Sequence, residues 1–143
     1  MNTTAKIVSR PDISTKRKQS IFSATVSAGF PSPAADYVEG KLDLNRYLIK
    51  NPPATFFVRV TGDSMIGAGI HSEDLLIVDR SLEAKNNNVI IAALDGELTV
   101  KRIRLRGGKI TLVPENKNYS ARKIEGDMEF EVWGIVTNVI HSL

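Results

Sequence analysis

From Thr55 onward the chain consists of short β-branched runs separated by tight turn signals, a pattern that few folds accommodate. T-F-F-V-R-V (55–60) is followed by L-L-I-V-D-R (75–80) and N-V-I-I-A-A-L (88–94). Asp95-Gly96 then leads into E-L-T-V-K-R-I-R-L (97–105), and Gly107-Gly108 leads into K-I-T-L-V-P (109–114). Asp-Gly and Gly-Gly between such runs are hairpin signals, because the tightest turns need φ > 0 at both central residues. E-F-E-V-W-G-I-V-T-N-V-I (129–140) completes the set, with Gly134 where a long strand can bend or bulge. The spacing predicts a mainly β, compact antiparallel domain.

The first half reads differently. Residues 1–28 are rich in Ser, Thr and Lys, with one apolar stretch from Ile21 to Val26, and read as a flexible arm carrying a strand-forming patch. Pro31-Ser32-Pro33 punctuates, 34–47 allows one or two short helices, the latter around 43–49, and Asn51-Pro52-Pro53 closes the segment. The arm carries five basic residues (Lys6, Arg10, Lys16, Arg17, Lys18) against Asp12, so it holds the whole positive excess of a chain whose net charge is +3. Such an arm either touches an acidic partner or is a solvated tail. With 143 residues there is room for one real core.

The absence of cysteine excludes disulfides, a thiol nucleophile and thiolate-held zinc. No run approaches the ~20 apolar residues of a membrane span, and the first residues lack the apolar core of a signal peptide, so a cytoplasmic protein without membrane contact is expected. There is no P-loop, no G-x-G-x-x-G and no basic-aromatic surface for nucleic acid. His71 and His141 are far apart in sequence and lack ligand spacing, so neither metal nor cofactor is expected.

Two residues carry the chemistry. V-R-V-T-G-D-S-M (58–65) is a strand that stops at Gly62-Asp63 and presents Ser64, with Gly67 and Gly69 just beyond. Glycines around a serine let backbone N–H groups point at a substrate carbonyl, and the N–H groups of Asp63 and Ser64 are the candidate oxyanion donors. The bland alternative is a serine that caps a Gly-rich turn. On 97–105, alternation places Lys101 on one face with Thr99, Ile103 and Leu105, while Arg102 and Arg104 fall opposite. A lysine among apolar neighbours loses basicity and can act as a general base, although most strand lysines are simply solvated. Ser64 with Lys101 makes a Ser-Lys hydrolase; a Ser-His-Asp arrangement using His71 stays open on spacing, but Lys101 has the better strand context. Ala24 to Gly29 is a run of small and β-branched residues that can lie extended in a groove. Ala28-Gly29 suits a narrow pocket followed by a bend, although the run also reads as plain linker.

In this order and spacing, Ala28-Gly29, V-x-G-D-S-M, L-I-V-D-R-S (76–81), V-K-R (100–102), L-x-P-E-N (112–116) and W-G-I-V-T-N-V-I-H (133–141) resemble the LexA/UmuD family of self-cleaving serine peptidases. The resemblance covers roughly 24–143, with a short arm where the repressors carry a DNA-binding domain, so direct sequence-specific DNA binding is not expected. It implies Ser64 as nucleophile, Lys101 as general base and Ala28-Gly29 as the scissile bond, dividing the chain into an arm (1–28) and a peptidase domain (29–143). It also implies a homodimer, stimulation by a RecA filament on single-stranded DNA, and a product that joins a UmuC-type translesion polymerase subunit in SOS mutagenesis. One departure is Asn86-Asn87-Asn88, where the family commonly has a glycine; Asn tolerates left-handed geometry, so the turn is expected to survive. The competing readings are an interaction module that does not cleave and, less well supported without a membrane anchor, a signal-peptidase-like processing protease.

Overall fold

A computed structural model describes residues 2–14, 16, 18–22 and 38–143. Backbone packing divides the chain into two units, 1–11 with 51–143, and 12–50.

The larger unit is an antiparallel sheet that closes on itself. Its strands are β1 (Thr4–Ser9), β4 (Thr55–Thr61), β5 (Leu75–Asp79), β6 (Val89–Leu94), β7 (Glu97–Arg106), β8 (Lys109–Val113), β9 (Arg122–Lys123) and β10 (Phe130–Ile140). They run in the order β1-β4-β5-β10-β6-β7-β8-β9, and β1 also meets β7 through Thr4 and Thr99. β1 is therefore the stave that closes a six-stranded ring, and β8 and β9 extend the sheet beyond it.

The local chemistry follows the sequence closely. Asp95 and Gly96 take φ of 49° and 84°, and Gly107 and Gly108 take 55° and 76°, so both expected hairpins use paired positive-φ residues. Asn87 supplies the left-handed residue of its turn at φ 74°. Gly134 sits at a register shift between β10 and β6, where an added Cβ would lie 2.7 Å from a Val78 methyl. The bulge expected there is present, and close strand approach is why no side chain fits.

Two apolar clusters fill the unit. Phe56, Val58, Val60, Met65, Leu76, Val78, Ile91 and Val100 belong to one; Ile90, Leu94, Ile103, Leu112 and Ile135 belong to the other. Strands β6 and β7 contribute to both through residues on opposite faces, and β6, V-I-I-A-A-L, is apolar along its whole length for that reason.

Two parts of the sequence reading need correction. Thr4–Ser9, read as part of a flexible arm, is a strand of the closed sheet, paired with β4 from Thr4 opposite Thr61 to Ser9 opposite Phe57. Its partners lie about fifty residues downstream, so no local pattern announces them. In the second unit, part of the stretch that allowed helices is β3 (Val38–Asp43), paired with β2 (Lys18–Phe22). Gly40 disfavours helix there and the ladder supplies the backbone partners. The helix expected around 43–49 does form as α1 (Leu44–Leu48), capped by the Asp43 carboxylate accepting from the Asn45 N–H at 3.0 Å.

Candidate active site

β4 ends at Thr61, and the chain turns through Gly62 at φ 101°, a conformation that side-chain-bearing residues rarely adopt. Ser72 Oγ accepts from the Gly62 N–H at 3.2 Å. Met65 is fully buried in the first apolar cluster and anchors the turn, leaving Ser64 fully buried beside it. Ile66 is 47% exposed, because the 3₁₀ turn Ile66–Ala68 directs it away from the core.

A second segment braces this turn. Glu115 N–H donates to the Ser64 carbonyl at 2.8 Å, and the Glu115 carbonyl accepts from Gly67 N–H at 2.7 Å. A Cβ on Gly67 would lie 2.7 Å from that carbonyl, so this close approach requires glycine. Asn116 Nδ2 donates to the Asp63 carbonyl at 2.9 Å, and the Tyr119 hydroxyl donates to the Asp63 carboxylate. That hydrogen bond holds the Asp63 carboxyl below its usual range and raises the Tyr119 phenol above its own.

Lys101 enters from the middle of β7, opposite Ile90 of β6. It is 8% exposed and shares its face with buried Ile103, as strand alternation predicts. Its Nζ lies 2.9 Å from Ser64 Oγ, 3.0 Å from the Val100 carbonyl and 3.3 Å from Thr99 Oγ1. Those three acceptors match the three protons of an ammonium group. Among the described residues no carboxylate forms an ion pair with it, and burial alone lowers its pKa to about 8. A pKa there leaves about a tenth of the amine neutral at pH 7, whereas an ordinary lysine would leave less than about one part in a thousand. Once the proton facing Ser64 is lost, the free lone pair can accept the serine proton while the other two hydrogen bonds persist.

The slot over Ser64 is filled by the chain's own beginning. Thr3 is fully buried, and its N–H donates to Ser64 Oγ at 2.8 Å. Its carbonyl accepts from Val100 N–H at 3.4 Å and from Thr99 Oγ1 at 3.3 Å. Beside it, Asn2, Thr4, Leu94, Leu98, Lys101 and Leu112 help to line a pocket of about 160 Å³. Ala28 and Gly29 lie outside the described residues. Thr3, Thr99 and the 115–119 brace are features of the site that sequence reasoning did not assign.

Residues 20–137 match the Peptidase S24-like family model. The chain belongs to that family. It is 48% identical to protein SamA of Salmonella typhimurium strain LT2 over 85% of this chain and 84% of that protein. It is 45% identical to protein MucA of Escherichia coli over 82% of this chain and 79% of that protein. The LexA repressor of Bordetella petrii is 38% identical over 82% of this chain but only 52% of the repressor. The LexA/UmuD resemblance is thus borne out at family level, and the mainly β fold is the one expected of it.

His71, the alternative base, is engaged elsewhere. It faces the Asp74 carboxylate and the His141 ring, 4.7 Å away between centroids. The described hydrogen-bond partners of Ser64 Oγ are Thr3 and Lys101. The two histidines, read as too far apart to act together, are neighbours in space.

Proposed function

We propose that this chain is a UmuD-like SOS-response subunit that cuts its own backbone between Ala28 and Gly29, with Ser64 as nucleophile and Lys101 as general base. The observation that carries this reading is the buried 2.9 Å contact between Lys101 Nζ and Ser64 Oγ, together with a lysine pKa of about 8. Neutral Lys101 takes the Ser64 hydroxyl proton as Oγ attacks the Ala28 carbonyl carbon. The resulting oxyanion is held by the Asp63 and Ser64 backbone N–H groups. As the intermediate collapses, the C–N bond to Gly29 breaks and the Gly29 nitrogen receives the proton from Lys101. Water then hydrolyses the Ser64 ester, releasing residues 1–28.

Thr3 occupies the nucleophile's slot, so the Ala24–Gly29 run, whether from the same chain or from a second copy, has to displace Thr3 and the start of β1. A RecA filament on single-stranded DNA stimulates cleavage by favouring the arrangement in which the run fills the slot. The family resemblance supplies the remaining partners: a homodimer, and a UmuC-type translesion polymerase subunit that the 29–143 fragment joins. Mass spectrometry after incubation with RecA filaments, or at mildly alkaline pH alone, tests the reading. A fragment beginning at Gly29 is expected; a cut elsewhere, or an intact chain under both conditions, overturns it.

A further inference from the structure

His71, Asp74 and His141 meet on the larger unit, and no described hydrogen bond joins any of them to Ser64 or Lys101. Asp74 is the fixed member. It is 2% exposed, and its Oδ2 accepts from the His71 N–H at 2.7 Å. The turn that carries it is tied to β4 by a reciprocal pair at Val60: Glu73 N–H donates to the Val60 carbonyl at 2.7 Å, and Val60 N–H donates to the Asp74 carbonyl at 3.1 Å. His141 arrives by strand register. Ile140 of β10 pairs with Leu75 of β5, which sets the next residue, His141, beside Asp74. Its Nδ1 lies 2.6 Å from Asp74 Oδ1, while His71 Nδ1 lies 3.8 Å from Asp74 Oδ2. One ligand atom from each residue falls within 4.8 Å of the others.

We propose that these three side chains form a site for a divalent transition metal of the zinc type. Two imidazole nitrogens and one carboxylate oxygen are a donor set suited to zinc, which takes nitrogen ligands at about 2.0–2.1 Å and carboxylate oxygen at about 2.0–2.2 Å. Tetrahedral binding at those lengths separates the ligand atoms by roughly 3.3 Å. The His141–Asp74 hydrogen bond therefore opens slightly, and the ligand atoms, now within 4.8 Å of one another, draw together as the rings rotate. Both imidazoles are half-exposed, at 45% and 43%, and have room to rotate, while the carboxylate stays anchored. A water molecule completes the fourth position. The bound ion joins the end of β10 to the turn before β5, and Ser72 in that turn also accepts from Gly62, two residues before Ser64.

The test uses untagged, chelator-stripped full-length chain carrying Ser64→Ala, so that it stays intact, titrated with zinc chloride. Calorimetry is expected to show uptake saturating at one ion per chain, with a rise in Tm on binding. The double variant His71→Ala/His141→Ala is expected to lose that uptake. Because the chain has only two histidines, proton NMR reads both ligands directly, and both imidazole signals should shift together at one equivalent. No uptake by the parent, equal uptake by the double variant, or movement of only one histidine signal overturns the proposal.

Discussion

The nucleophile turn and the strand laid across it are built to opposite standards. The turn is over-determined: Met65 is sunk in the core, Gly62 and Gly67 permit geometry that other residues rarely reach, and the 115–119 segment fixes it through backbone and side-chain hydrogen bonds. β1 closes the sheet against the same site with weaker means. Ile7 and Val8 are 42% and 50% exposed, Lys6 stands directly opposite Arg59, and the buried Thr3 hydroxyl has no partner among the described residues. Like charges in register and an unpaired buried hydroxyl both cost stability. The proposed self-cleavage requires this contrast: the cover must yield to a substrate segment while Ser64 and Lys101 stay aligned.

The largest effect expected is at the pair itself. Ser64→Ala should lower self-cleavage by at least about 10³-fold, read by gel densitometry, because no other group supplies the attacking oxygen. Its Tm should stay close to the parent's. A collapse in Tm would mean that the serine is mainly structural.

Next comes the brace. Gly67→Ala forces a methyl against the Glu115 carbonyl, and overpacking of this kind costs about 1–3 kcal/mol. Chemical denaturation should show that loss, with slower cleavage under conditions where the chain remains folded. Unchanged stability would show that the turn is less tightly held than the comparison claims.

The smallest effects are at the cover. Lys6→Glu places opposite charges in register across β1 and β4, a change worth roughly 0.2–1 kcal/mol. It should slow alkaline self-cleavage by a small factor, whereas removal of residues 2–9 should speed it several-fold. Cleavage rates that move in the reverse directions would mean that β1 supports the reactive arrangement instead of obstructing it.

Much of this was legible in the sequence because it is local. Paired turn residues fix the hairpins, strand alternation puts Lys101 on the apolar face, and Gly62 before Ser64 marks a turn that no β-branched residue would make. What stayed hidden depends on distant partners. T-A-K-I-V-S is a short run flanked by polar residues, and its pairing with β4 is decided by a gap in the sheet. The brace at Glu115 and Asn116 works largely through backbone groups, which leave no side-chain signature. The histidine pair arises from the register between β10 and β5, not from any spacing along the chain.

The central claim is that Lys101 works as a neutral base on Ser64, and the pH dependence of self-cleavage tests it most directly. Burial lowers the lysine pKa, so the active, uncharged form accumulates as pH rises through about 8. The first-order rate of appearance of the fragment beginning at Gly29 should climb about tenfold per pH unit below that value and level off above it. Lys101→Ala should remove both the rate and its pH dependence. A flat profile, a midpoint near the ordinary lysine value of 10.5, or cleavage of Lys101→Ala at the parent rate would contradict the account.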